Sequence, residues 1–219
     1  MAGRFGMSTN DDVLLADIGN THFHIYDGNS VEHLAYDDAV DKYKNKKLYY
    51  ITVKHQPSLK IDKIPLWKNI SSHIEIEGEY ETMGVDRKAL CLSRRDGLFI
   101  DAGSAITVDV VEQGVYNGGF ILPGLKGYIQ MYKNISTVLD TNLDKEVNIE
   151  ELPSTTKEQI SYGIIASIKA LIDKHSKGKK LYFTGGDGKF LSTYFEDAIY
   201  DEMLVFDGMR KVIKESKIC

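Results

Sequence analysis

The sequence predicts an α/β fold built twice over. Residues 14–28, "LLADIGNTHFHIYDG", form an apolar strand that runs into Asp17, turns through Gly19 and Asn20, and resumes as a strand. Residues 98–114, "LFIDAGSAITVDVVEQG", repeat that design from Asp101. Each hairpin is followed by helices and further strands in a similar order, with no low-complexity linker between the two stretches. The join falls near residues 93–97, "SRRDG". An N-terminal half over 13–95 and a C-terminal half over 96–219 follow, with residues 1–12 read as a leader outside the fold in which Met7 could be an original start.

The elements are justified in order. Strands are expected at Val13–Asp17, His22–Tyr26 and Val31–Tyr36, because short β-type runs alternate with turn formers (Gly19-Asn20, then Asp27 to Ser30) and so form an antiparallel meander. "DDAVDKYKNK" reads as a polar helix, and "KLYYITVK" as a strand rich in aromatic and β-branched residues. Residues 57–70 hold two prolines and the single Trp and receive no assignment. "SHIEIEG" alternates apolar and polar residues as a strand does. Residues 84–95, "GVDRKALCLSRR", open and continue a helix.

A second meander is expected at Leu98–Asp101, Ala105–Glu112 and Val115–Leu122, and "LPGLKGYIQMYKNIS" enters a helix after Pro123 and Gly124. The strongest helix signal starts near Thr155, where Thr155 and Glu158 fit a capping box and Gly178 supplies the stop. Its apolar positions at 160, 164, 165, 168, 171 and 172 exceed one exposed helix face. That surplus predicts either burial on two sides or a subunit contact over 157–175. The chain closes with the strand "KLYFTGGDG", a helix, a strand near "DEMLVF" and a basic, solvated final helix, "GMRKVIKESK".

Composition narrows the function. With 219 residues, 42% apolar and 27% charged, the chain has material for a substantial core. A net charge of −5 argues against a nucleic-acid or anionic-membrane surface, either of which needs a basic excess. Two cysteines, Cys91 and Cys219, make no ligand-type spacing and suit a reducing cytoplasm. No apolar run approaches the roughly 18–20 residues that cross a bilayer.

The repeated hairpins carry the chemistry. An acid at a strand end beside a glycine turn places a carboxylate next to backbone N–H groups. The amides can bind phosphate oxygens while the acid holds the accompanying cation. Either hairpin alone is also consistent with a plain Asp-capped turn; their pairing favours a grip on a nucleotide triphosphate from two sides. "YFTGGDG" at 182–188 adds Gly185 and Gly186, where backbone can approach a ligand closely. His22 and His24 share a strand face, a conceivable metal pair, and with no third ligand evident they read as strand residues.

Taken in order, "DIGNT", "GVDR", "DAGSA", "GGFILPG" and "TGG" resemble the motifs of the type III pantothenate kinases. These form a short-chain branch of the acetate and sugar kinase/Hsp70/actin superfamily. The resemblance spans nearly all of residues 13–210. Ser104 stands where the family more often has Thr, and Gln159 where it more often has Ala. It implies duplicated ribonuclease H-like (actin-like) domains, each a mixed five-stranded sheet with flanking helices. It also implies ATP-dependent phosphorylation of pantothenate, the first step of coenzyme A synthesis.

Residue by residue, the resemblance makes Asp86 the general base, and phosphoryl transfer with a loose transition state asks of it no more than an ordinary carboxylate pKa. Asp17, Ile18, Gly19, Asn20, Thr21, His22, Phe23 and His24 would form the first ATP loop, with Asp17 organising Mg²⁺. Ser104, Gly185 and Gly186 would complete ATP binding, and Asp101 would hold a monovalent cation, K⁺ or NH₄⁺. Tyr80, Gly84, Val85, Asp86, Arg87 and Thr156 would line the pantothenate site, with Arg87 offering its planar fork to the substrate carboxylate. A homodimer is implied as well. Two other readings stay open: a sugar or polyphosphate kinase or phosphatase of the same superfamily, and a non-catalytic actin-like ATP-binding protein. The Gly84–Arg87 motif disfavours the first and the retention of Asp86 the second.

Overall fold

The computed structural model describes residues 13–19, 22–52 and 60–216. The leader over 1–12, together with Asn20, Thr21 and Cys219, lies outside the described residues. The described residues form two compact units, one from those up to 93 together with 203–216, the other from residues 94–202.

In the first unit a five-stranded sheet has the order β3-β2-β1-β4-β5, built from β1 (Leu14–Ile18), β2 (Phe23–Tyr26), β3 (Val31–Leu34), β4 (Leu48–Thr52) and β5 (Trp67–Asn69). β1, β2 and β3 are antiparallel neighbours, whereas β4 runs parallel to β1 and β5 parallel to β4. Helix α1 (Tyr36–Tyr43) joins β3 to β4 and buries Ala39 and Tyr43. The apolar face of the sheet, including Ala16, Ile18, Phe23, Ile25 and Tyr50, packs in one cluster with Ala39, Tyr43 and Trp67. The Trp67 indole N–H, buried in that cluster, donates to the Tyr43 carbonyl at 3.1 Å, which satisfies its polar atom.

Helix α2 (Val85–Leu92) also belongs to the first unit. The second unit repeats the topology. Its sheet has the order β10-β9-β6-β7-β8, from β6 (Gly97–Ala102), β7 (Ala105–Glu112), β8 (Val115–Pro123), β9 (Leu181–Thr184) and β10 (Ile199–Tyr200). Again the first three strands form an antiparallel meander and the last two run parallel. The mixed five-stranded sheet expected in each half is therefore present in both. Helices α3 (Leu125–Ile135), α4 (Thr156–Ser176) and α5 (Gly188–Ser192) flank it.

The capping box of α4 forms as its residues predict. Thr155 Oγ1 accepts from the Glu158 N–H at 3.4 Å and donates to its carboxylate at 2.6 Å. Ile160, Ile164, Ile168 and Ile172, spaced four apart, enter the unit's own core beside Ile100, Val108 and Phe183. Burial within the unit thus absorbs most of the surplus apolar surface, leaving Leu171 at 38% exposure.

Three expectations are corrected. "SHIEIEG" is not a strand: Ser71–His73 is a 3₁₀ turn, and residues 74–78 pair with no strand among the described residues. Ile74 and Ile76 are buried, so the alternation reflects one-sided burial without a pairing partner. "DEMLVF" is not a strand either, because α6 (Leu204–Glu215) begins within it. Leu204, Val205 and Phe206 join Met209, Val212 and Ile213 as its buried residues, and a short apolar run has no periodicity to tell helix from strand. The final helix is accordingly half core, not a wholly solvated face.

It also packs with the first unit, whereas sequence order places residues 203–219 in the C-terminal half. Tyr26 and Phe206 rings meet at 5.7 Å, and α6 lies directly on α2. The crossing depends on Gly208, where a side chain would collide with the Ala89 carbonyl and come within 2.7 Å of its carbon. Gly208→Ala is expected to destabilise the protein by about 2 kcal/mol, in the range of core overpacking, as read by urea denaturation.

Candidate active site

In the first unit, Asp17 stands near the carboxyl end of β1, directly opposite His24 on β2. The Gly19 N–H donates to the His22 carbonyl at 3.1 Å and closes the hairpin. Ile18 and Phe23, both expected in the ATP loop, send their side chains into the core at 1% and 3% exposure, so only their backbone is available to a ligand. Neighbouring positions on a strand point to opposite faces. His24 therefore shares the face of Asp17, not that of Phe23. Its pKa is pushed down to about 4, chiefly by burial and then by the nearby His33 and His22.

The Gly84–Arg87 motif forms the start of α2. Gly84 is the N-cap and contributes no side-chain cap. Asp86, in the first turn, accepts the Arg87 N–H on Oδ1 at 2.8 Å. Burial of its carboxyl raises the pKa; the Arg87 N–H and the Arg87 charge act in the opposite direction but do not outweigh it. Phosphoryl transfer asks of Asp86 no more than an ordinary carboxylate, and the raised value comes from desolvation that tertiary packing creates.

Arg87 is 7% exposed, unusual for an arginine, and needs partners to hold its charge. One of them is Tyr80, whose hydroxyl oxygen accepts from Nη1 at 2.6 Å and whose ring lies 5.8 Å from the guanidinium. A second pair, Lys88 and Glu79, ties the preceding turn to the same helix, and Glu79 also accepts the Ile76 N–H at 2.8 Å. Tyr80, Gly84, Val85, Asp86 and Arg87 thus come together as one local assembly.

In the second unit, the parallel pairing of β6 and β9 sets Asp101 opposite Thr184. That register joins the second acid-bearing hairpin to the Thr184-Gly185-Gly186 turn. Gly185 has φ +84°, and a side chain on it would collide with Asp101 Oδ1 and lie 2.7 Å from the Ala102 carbonyl atoms. The Asp187 N–H donates to the Ala102 carbonyl at 2.9 Å, fastening the turn to β6. Around Ser104, the Gly103 N–H donates to the Ala105 carbonyl and the Gly124 N–H to the Ser104 carbonyl, at 2.9 and 3.1 Å. Gly186 is open: nothing stands within 4 Å of a side chain built there.

Two residues of this cluster escape sequence reasoning. Thr107 faces Asp101 across the hairpin, and its buried hydroxyl has no hydrogen-bond partner among the described residues. Lys145 reaches Asp187 at 3.4 Å and lies over the Phe190 ring at 4.8 Å. Thr107 reads as an ordinary strand residue, and Lys145 sits in an irregular loop far along the chain, so neither carries a local signal. Thr156 is exposed at the first position of α4 and belongs to the second unit, whereas Tyr80 and Arg87 belong to the first.

Comparison with known proteins places the chain in a family. The sequence model of the type III pantothenate kinases matches residues 59–177, more than half of the chain. A type III pantothenate kinase of Helicobacter hepaticus is 44% identical over 204 residues, covering 93% of this chain and 99% of that one. One from Campylobacter jejuni is 38% identical, with coverage of 93% and 98%. The chain belongs to this family.

A Campylobacter jejuni crystal structure assigned to the Baf family of transcriptional activators matches this type III pantothenate kinase family member with TM-score 0.85. The two are 38% identical, and the match covers 94% of this chain and 100% of that one. A Sinorhizobium meliloti protein assigned as a 2-dehydro-3-deoxygalactonokinase matches with TM-score 0.59 at 9% identity, covering 93% and 99% of the two chains. At that identity the likeness concerns the fold alone.

Proposed function

We propose that this chain transfers the γ-phosphoryl group of ATP to the primary hydroxyl of pantothenate, giving 4′-phosphopantothenate. The observation that carries the proposal is the Gly84–Arg87 assembly: a desolvated carboxyl at a helix start beside an arginine anchored by Tyr80, in a member of this family. Asp86 accepts the proton of the attacking hydroxyl, and its raised pKa makes it a better acceptor than an exposed aspartate. Arg87 presents its fork to the pantothenate carboxylate while Tyr80 keeps the guanidinium oriented. Thr156 adds a hydroxyl contact to the same substrate.

Each hairpin serves the nucleotide. Residues 17–24 bind ATP through backbone groups and the Asp17 carboxylate, and Ser104, Gly185 and Gly186 are the other ATP-binding residues. Hard oxygen donors suit Mg²⁺ at Asp17 and K⁺ or NH₄⁺ at Asp101, and the Thr107 hydroxyl, buried without a partner, supplies one more oxygen beside Asp101. Such cations neutralise charge that builds on the phosphates during transfer.

The composition and the absence, among the described residues, of a helix able to cross a membrane accord with work in the cytoplasm. A homodimer accords with apolar side chains left exposed on the second unit: Ile135 at 70% and Val138 at 78% are large for a solvated surface.

A coupled assay of ADP release with ATP, Mg²⁺ and pantothenate, run with K⁺, with NH₄⁺ and with neither, tests the reading. The expected result is turnover that requires pantothenate and rises with the monovalent cation. Turnover indifferent to the cation would remove the role given to Asp101, and none with pantothenate, in protein that binds ATP, would overturn the function.

A further inference from the structure

His24 lies on β2, and His22 just precedes that strand. The structure supplies a partner on the next strand of the meander. His33 on β3 is the register partner of His24 on β2, nine residues away, and the two Nδ1 atoms face one another at 2.5 Å. The rings meet edge to face, with centroids 4.8 Å apart and planes at 76°. β3 is the edge strand of its sheet and His33 is exposed, so the pair opens to solvent on one side.

The contact is a hydrogen bond in which one Nδ1 carries the proton; with that proton moved to Nε2, both Nδ1 lone pairs face one shared position, which is a chelating arrangement. Imidazole is a strong ligand for late first-row divalent ions and binds only when neutral. Zinc–nitrogen bonds of about 2.0–2.1 Å at a tetrahedral centre separate the two nitrogens by about 3.3 Å. The present separation is within an ångström of that, and side-chain rotation on an edge strand can supply the difference. Among the described residues no group of three or more His, Cys, Asp or Glu is placed to hold a metal ion, so water must complete the coordination.

We propose that His24 and His33 form a two-imidazole site for a late first-row transition metal ion such as Zn²⁺, distinct from the hard-cation positions at Asp17 and Asp101. The site lies in the same row of the sheet as Asp17, which is the register partner of His24 on its other side. An ion bound there adds two positive charges about one strand spacing, roughly 5 Å, from the Asp17 strand.

The test is titration of the full chain, free of nucleotide, with Zn²⁺ against a chromogenic chelator, comparing wild type, His33→Gln and, as a surface control, His175→Gln. The expected result is one Zn²⁺ per chain in wild type and in the His175 variant. Loss of one imidazole should weaken binding at least about tenfold in the His33 variant, since even the outer partners of a metal ligand are worth that much. Equal Zn²⁺ binding by wild type and His33→Gln, or none by wild type, would overturn the proposal. The assay needs neither ATP nor pantothenate, so its failure is separate from failure of the kinase reading.

Discussion

Asp86→Asn is expected to lower kcat by about 10²- to 10⁴-fold, the usual contribution of a positioned general base, while leaving ATP binding intact. The amide keeps the size and the hydrogen bond accepted from the Arg87 N–H, and it removes only the proton-accepting group. The same variant makes a stability prediction of opposite sense. A carboxyl whose folded pKa is raised by burial holds its proton in the folded state after the unfolded chain has lost it. Stability therefore falls as pH climbs from the ordinary value, 3.8, through the raised folded value. At neutral pH the ionised Asp86 weakens the fold, and Asp86→Asn should melt no lower than wild type, and higher if packing is unchanged.

In wild type, kcat/KM should rise with pH through an acid limb displaced above the ordinary carboxylate range. A stopped assay across pH 4–8 on both proteins, with melting curves beside it, reads all three effects. Undiminished turnover in Asp86→Asn would remove the base.

The second large effect concerns adjacent glycines with opposite roles. Gly185→Ala places a methyl group against Asp101 and the Ala102 backbone at a φ of +84°. Left-handed backbone costs a non-glycine residue about 1–2 kcal/mol, and forcing β6 aside adds about 1–3 kcal/mol. The sum, near 3 kcal/mol, corresponds to a melting temperature lower by about 6–12 °C in a chain of this length. Gly186→Ala meets nothing and should change stability by less than about 0.5 kcal/mol. If Gly186 lets the backbone approach ATP, that variant instead raises KM for ATP while its melting temperature holds. Calorimetry and ATP-dependence curves on the two variants separate a glycine needed by the fold from one needed by the ligand.

The strands that bear Asp17 and Asp101, the helix that opens at Gly84, and the capping box at Thr155 were all legible because their signals are local. A β-type run ending in an acid and glycine, or a hydroxyl three residues before a carboxylate, specifies geometry through nearby backbone alone. The duplicated order of elements was legible for the same reason, element by element. "SHIEIEG" and "DEMLVF" were misleading because apolar spacing reports which side is buried, and pairing or helical continuation depends on what lies alongside.

By itself, then, the sequence determined the meanders, the acids at their strand ends and the family. Only the tertiary structure decided that α6 completes the first unit on Gly208, that Asp86 is desolvated, that Thr107 stands beside Asp101, and that His33 meets His24. Each of these depends on groups brought together across a sheet or between helices. Burial and electrostatics act through space, and it is strand register and helix packing that set these distances.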